Sequence, residues 1–318
     1  MKIAFIIDPI ERLDPGHDTS VALMEAAQQR GHQVWITEAP LLSVVAGRAW
    51  GLLRRVELTP VQLVDGHWVA EEFWYEVDQV EQLPLDAMDA VFMRTDPPVT
   101  VPYLYATYIL DYVGTKTRVI NAPRGLRQAN EKMYALQFTE AIPKTIVSQN
   151  KALIRDTVEQ WGTAVLKPLG GKAGEGILFL QASDRNLNSM VEISTRQGQE
   201  PVMIQTYLPA AREGDKRIIL LNGEPIGAVN RIPTGSEFRG NMAVGGRVAA
   251  TEITDREREI CHQLAPTLQG DGLYFVGIDV IGGYLTEVNV TSPTGVREID
   301  RLNQTCLGNQ VIAWLETN

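Results

Sequence analysis

Apolar residues recur in this chain with two periods, and their alternation sets the fold class. Residues 2–7 form a compact apolar run closed by Asp8-Pro9. Residues 19–27 place Val21, Leu23, Met24, Ala26 and Ala27 at helical spacing before Gly31, and residues 33–37 again read as a strand. That is a βαβ unit, and Thr19-Ser20 is expected to cap its helix. Residues 41–48 read as a helix, 55–63 as a strand, 85–94 as the approach to a buried strand ending at Arg94, 101–112 as a helix and 119–120 as a short strand. The break at Asn121-Ala122-Pro123 closes a first unit, residues 1–122, an open Rossmann-like α/β domain.

The pattern then changes. A helix is expected from Asn130-Glu131-Lys132 to Phe138, ended by Pro143, and a second over 150–159 capped by Asn150. Strands follow at 163–167 and 177–181, a helix at 186–196 and a strand at 202–207. This divides the remainder into a small unit, residues 123–203, and a C-terminal unit, residues 204–318. In the latter, 217–221 and 225–230 flank Asn222-Gly223 as a hairpin. Thr254 and Glu257 make a capping box for a helix that Pro266 is expected to kink, and residues 311–315 close the chain as a short amphipathic helix.

The most informative stretch lies between those two helices. In residues 275–290, Val276, Ile278 and Val280 alternate with Gly277, Asp279 and Ile281, and beyond Gly282-Gly283 the residues Leu285, Val288 and Val290 are interspersed with Glu287 and Asn289. Two strands joined by a tight turn follow from that pattern, and Glu287 and Asn289 share one face. If the register brings Asp279 opposite them, two carboxylates and one amide oxygen form a hard-oxygen cage suited to Mg²⁺. An acidic solvent face on an amphipathic hairpin has the same pattern. Thr291-Ser292-Pro293-Thr294-Gly295 ends the strand with hydroxyls and turn formers that can offer N–H groups to an anion.

Composition narrows the partners. The 318 residues are 44% hydrophobic and 21% charged, ordinary for a globular chain, and the length suits two or three domains. A formal net charge of −10 argues against a general nucleic-acid or acidic-membrane surface, since either needs a basic face. Cys261 and Cys306 form no C-x-x-C pair, so both are expected to be reduced, structural thiols. No apolar stretch reaches membrane-spanning length, and residues 3–7 are too short for a signal-peptide core, so the expected compartment is the cytoplasm.

Phosphate chemistry has its own signals. Residues 168–176 carry Gly170, Gly171, Gly174 and Gly176 around Lys172, a loop with free backbone donors between two expected antiparallel strands. It is not a Walker motif, because Ala173 follows the lysine, and no G-x-G-x-x-G follows the first strand. A structural hairpin loop reads the same way. Lys132 and Lys167 stand at segment edges, and Lys216, Arg217, Arg231, Arg239 and Arg247 gather around a second glycine-rich loop at 231–247. Cations and a metal cage together are what phosphoryl transfer needs, since the protein does little covalent work there. Arg94-Thr95-Asp96-Pro97-Pro98, just past a strand's C-terminal end, lies where open α/β sheets bind ligands; a surface ion pair pinned by prolines fits it equally.

Several of these segments, in unbroken order over nearly the whole chain, resemble the bacterial glutathione synthetases, ATP-grasp ligases. They are Arg94 to Pro98, Asn130-Glu131-Lys132, Leu166 to Leu169, Tyr207 to Ala210, Gly214 to Arg217, Arg231-Ile232-Pro233, Glu237 to Asn241 and, most specifically, Thr286 to Thr294. The resemblance implies an ATP-grasp fold with ATP between two antiparallel sheets, and roles by position. Lys132 and Lys167 contact ATP phosphates under the glycine loop, the backbone from Gln205 through Tyr207 to Leu208 meets the adenine, and Asp215 the ribose. Asp279, Glu287 and Asn289 hold Mg²⁺, with Mn²⁺ as an alternative. Arg217, Arg231 and Arg239 face the phosphates and the acyl-phosphate centre, while Arg94, Asn241, Ser292 and Thr294 hold the peptide. The implied substrates are ATP, γ-glutamylcysteine and glycine, and the implied assembly is a homo-oligomer. Lys172 and Glu175 depart from the family's loop. A ligase with other acceptors, or a nucleotide-binding module without catalysis, would share the ATP site.

Overall fold

Apolar strands with helices on both faces make a twisted mixed sheet of the first 120 residues. The structure, a computed structural model, describes residues 1–171, 174–234 and 246–318. Lys172, Arg239 and Asn241, and with them the expectations for their roles, lie outside the described residues. Lys2–Ile6 is parallel to Gln33–Thr37 on one side and Ala90–Met93 on the other, with Arg118–Ile120 beyond. Arg48–Leu58 pairs antiparallel with Gln33–Thr37, Leu42–Val45 and Tyr75–Pro84 to complete seven strands.

Three local expectations are corrected here. Residues 41–48 are not helical: Leu42–Val45 turns through Ala46 and Gly47, both at positive φ, into Arg48–Leu58. Pairing of Leu42–Val45 with Arg48–Leu58, a strand itself paired with Gln33–Thr37 and Tyr75–Pro84, overrides the local apolar spacing. The helix Thr19–Gln29 is capped by Asp18, whose carboxylate accepts from Val21 N at 2.9 Å, rather than by Thr19 or Ser20. Residues 130–138 form no α-helix. The helix there is Pro123–Gln128, residues 130–132 run beside the closing hairpin with Val288 N donating to Glu131 O, and Met133–Gln137 is a 3₁₀ turn.

The second sheet is antiparallel, in the order Thr145–Ser148, Val202–Thr206, Thr163–Pro168, Leu178–Gln181. Helices Lys151–Trp161, capped by Asn150, and Leu187–Ser194 cover one face, and Ile154, Val158, Leu166, Val191 and Ile204 form its own core. The third sheet is also antiparallel, in the order Arg247–Ala250, Glu224–Ile232, Asp215–Leu221, Phe275–Ile281, Tyr284–Asn289. Helix Asp255–Gly270 carries both halves of the Thr254/Glu257 capping box and runs past Pro266. The C-terminus has two helices, Val296–Asn303 and Leu307–Thr317, where one short helix was expected.

The first and third sheets share continuous cores, so the N-terminal unit is a fixed wall for the site. Leu220, Ile278 and Val288 pack in one cluster with Ala4, Ile6 and Tyr103, and Phe275 and Ile312 pack in another with Ile3 and Phe5. Asn121 rivets the two: its amide donates to Phe275 O and Val290 O, both at 2.8 Å, and accepts from Phe275 N at 2.8 Å. Such a side chain completes the backbone pairing that a strand end leaves open. Cys261 is buried, and burial pushes its thiol up to about 12; Cys306 is exposed, against the expectation of a structural thiol. No helix among the described residues is long and apolar enough to cross a membrane.

Candidate active site

The closing hairpin supplies the first groups, and a bulge between Asp279 and Val280 sets the register that brings them together. Gly282 and Gly283, with φ of 56° and 79°, make the two-residue turn, and Asp279 pairs directly with Glu287 while Gly277 pairs with Asn289. The three oxygen-bearing side chains thus stand together. Gly277 matters to this arrangement, since a Cβ there would meet Pro293 Cβ at 2.9 Å and the Arg217 stem at 3.1 Å.

Asp279 is the charge hub. Its Oδ1 lies 2.5 Å from Arg217 Nε and 2.9 Å from Arg231 Nη2, and its Oδ2 3.1 Å from Arg217 Nη2 and 3.4 Å from Asn289 Nδ2. Arg231 also holds Asp215 Oδ2 at 2.7 Å, while Asp215 Oδ1 is buried with no hydrogen-bond partner among the described residues. Burial alone raises the Asp279 carboxyl, but the two guanidinium groups override it and hold its pKa below the ordinary carboxylate range. The two arginines read in the sequence as facing phosphate are therefore pre-set on an anchored anion.

Opposite stand the lysines. Lys132 Nζ bridges Gly171 O at 2.9 Å and Glu287 Oε1 at 3.1 Å, so it links the glycine loop to the hairpin. Lys167 Nζ is 3.4 Å from Thr286 O; burial lowers its pKa while Glu287 and Asp215 favour its charge. These groups line one cavity of about 300 Å³ between the second and third sheets. Its polar wall is Lys132, Lys167, Asp215, Arg217, Arg231, Asp279, Glu287 and Asn289, and its apolar slot is Val165, Ile177, Leu208 and Ile281 beside Gln205 and Tyr207. Gly171 and Gly174 line it; Gly170 and Gly176 do not.

The peptide-side residues are placed less uniformly. Ser292 and Thr294 line the cavity with Asp96 and Pro97. Arg94 does not: it is buried behind that wall, with Nε on Ser20 Oγ at 3.1 Å, Nη2 on Pro293 O at 3.0 Å and the Phe275 ring 5.6 Å from its guanidinium carbon. Its Nη1 has no partner among the described residues. Glu131, to which the sequence gives no role, is a clasp. Its Oε1 collects Val290 N at 2.9 Å, Thr291 N at 3.1 Å and Thr291 Oγ1 at 2.8 Å. Only the position of an acid beside Lys132 hinted at this.

No group of three or more His, Cys, Asp or Glu among the described residues is placed to hold a metal; the candidate set is two carboxylates with an amide. The family model of the prokaryotic glutathione synthetase N-terminal domain matches residues 1–127, and that of the prokaryotic glutathione synthetase ATP-grasp domain residues 131–304. The chain belongs to the prokaryotic glutathione synthetase family. A glutathione synthetase of Thermosynechococcus vestitus is 71% identical over 316 residues, covering 99% of each chain. One from Nostoc sp. is 70% identical over 319 residues, covering 100% of this chain and 98% of its own. Among solved structures, the ATP-grasp ligase PsnB complexed with a phosphomimetic variant of minimal precursor, Mg and ADP is 17% identical. It superposes with a TM-score of 0.63 over 99% of this chain and 97% of that one, a likeness of fold. As a family member the chain is an ATP-grasp ligase of mixed α/β fold that serves ATP-dependent glutathione synthesis.

Proposed function

We propose that the chain joins γ-glutamylcysteine to glycine, with residues 1–122 and 204–318 holding the peptide and the reacting phosphate and residues 123–203 covering ATP. One observation carries this reading: Asp279, Glu287 and Asn289 meet Lys132, Lys167, Arg217 and Arg231 in a single cavity between two antiparallel sheets. The γ-glutamylcysteine carboxylate attacks the γ-phosphorus of ATP, ADP departs, and the glycine amine then displaces phosphate from the acyl phosphate, losing a proton.

The adenine enters the slot of Val165, Ile177 and Ile281 against the backbone of Gln205 to Leu208. Asp215, with one buried oxygen that has no partner among the described residues, accepts from the ribose. Lys132 and Lys167 bring cationic charge to the phosphates. Arg217 and Arg231, already oriented by Asp279, meet charge developing in the transition state with little reorganisation. Two carboxylates and an amide carbonyl are hard donors of the kind Mg²⁺ or Mn²⁺ takes, and the lowered pKa keeps Asp279 anionic, so the set fits the ion. Bound there, it supplies positive charge to the phosphate oxygens. Ser292 and Thr294, which line the cavity, hold the peptide, and Arg94 braces their turn from behind through Pro293 O. On the same reading the protein acts in the cytoplasm as a homo-oligomer.

ADP release tests this. With ATP and Mg²⁺, steady release is expected only when γ-glutamylcysteine and glycine are both present. Sustained turnover with other acceptors in place of glycine, and none with glycine, rejects the substrate assignment.

A further inference from the structure

Strand Tyr284–Asn289 loses its ladder partner at Asn289, because its last pair with Phe275–Ile281 is Gly277 to Asn289. The backbone N–H groups of Val290 and Thr291 then need acceptors from elsewhere. One atom, Glu131 Oε1, meets both and also the Thr291 hydroxyl. The neighbours of Glu131 reach the other way: Asn130 Nδ2 donates to Leu169 O at 3.1 Å and Lys132 Nζ to Gly171 O. Segment 130–132 therefore ties the glycine loop to the turn at 290–294.

That turn carries more than its own side chains. Thr294 O receives Arg217 Nη1 at 3.1 Å, and Pro293 O receives Arg94 Nη2 at 3.0 Å. Ser292 and Thr294 line the cavity between them. We propose that Glu131 is a positioning residue for the peptide side of the reaction: its carboxylate sets the turn that aims Ser292 and Arg217. This rests on the reading of that turn as the peptide side. The nucleotide side has separate support, since Val288 N donates to the backbone carbonyl of residue 131, which a side-chain truncation leaves in place.

The test compares Glu131→Ala, Glu131→Gln and Thr291→Val in the full-length chain. A displacement of about 1 Å in a reacting geometry costs on the order of a hundredfold. Glu131→Ala is therefore expected to lower kcat/KM for γ-glutamylcysteine by about that factor, while MgADP affinity by calorimetry stays near wild type. Glutamine keeps an oxygen acceptor and is expected to recover most of the loss. Thr291→Val removes one of the three donors, so it should give a smaller loss in the same direction and add nothing on top of Glu131→Ala. The inference is overturned by wild-type peptide kinetics in Glu131→Ala. It is overturned equally by MgADP affinity falling in parallel, or by a Glu131→Gln as inactive as the alanine variant, which would make Glu131 a proton-transfer group. Should Glu131→Ala not fold, unchanged peptide kinetics in Thr291→Val overturn it. A wild type inactive on γ-glutamylcysteine and glycine contradicts the function itself, whereas an active wild type with indifferent variants contradicts only this inference.

Discussion

Asp279→Asn is expected to cost the protein both its turnover and a large part of its stability. The sequence alone assigns Asp279 to a metal, and from that role only a higher Mg²⁺ requirement follows. The structure adds that Asp279 neutralises Arg217 and Arg231, all three nearly devoid of solvent contact. Removing the charged partner from a buried pair costs about 3–5 kcal/mol, because the remaining charge is left uncompensated. Urea unfolding reads that loss directly, and an unchanged midpoint would show that the arginines do not depend on Asp279. The pH dependence has a definite sign. A carboxyl whose folded pKa lies below the unfolded value of about 3.9 contributes stability that is complete above that value and is lost as pH falls through the folded one. The gap between wild type and Asp279→Asn should hold from pH 8 to pH 6 and narrow only on strong acidification.

Glu287→Gln is expected to behave in the opposite way, with turnover lost and the fold kept. Glu287 pairs across the hairpin with Asp279, yet its side chain retains 22% of its exposure and its ion pair with Lys132 faces the cavity. Glutamine keeps the size of the side chain and an oxygen for the nearly buried Lys132, and Glu287 itself stays partly solvated, so the unfolding midpoint should move less than in Asp279→Asn. Losing a carboxylate that would hold the metal ion, by contrast, takes positive charge away from the phosphate oxygens and is expected to cost on the order of 100- to 1,000-fold in kcat. Wild-type turnover at saturating Mg²⁺ would return Glu287 to an ordinary acidic face. The two variants separate the roles: Asp279 holds arginines and site together, and Glu287 serves the site alone.

What could be read from the sequence follows from how local each signal is. Alternation through residues 275–290 and a Gly-Gly turn specify both strands but not their register: pairing inward from Ile281 and Tyr284 puts Thr286 opposite Asp279, and only the bulge between Asp279 and Val280 brings Glu287 there. The Thr254/Glu257 capping box is complete within four residues. Residues 41–48 misled because their apolar spacing suits either period and their partner strand, Arg48–Leu58, is itself held by Tyr75–Pro84 from far along the chain. Helix Val296–Asn303 was invisible as a core element because it buries Arg297, Glu298 and Asp300. Arg297 is admissible there through Glu25, 2.8 Å away and near the other end of the sequence. The same reason hid the Asp279–Arg217–Arg231 knot and the Glu131 clasp. Each joins residues that no local pattern relates, so the sequence named the arginines without showing what restrains them.

In the cavity between the second and third sheets a phosphoryl group passes to a substrate carboxylate before the amide forms. Oxygen tracing tests it most directly. With γ-glutamylcysteine labelled with ¹⁸O in both oxygens of its cysteine carboxylate, together with ATP, Mg²⁺ and unlabelled glycine, one ¹⁸O is expected in each phosphate released and one in the new amide. Phosphate released without ¹⁸O, while glutathione still accumulates, would contradict it.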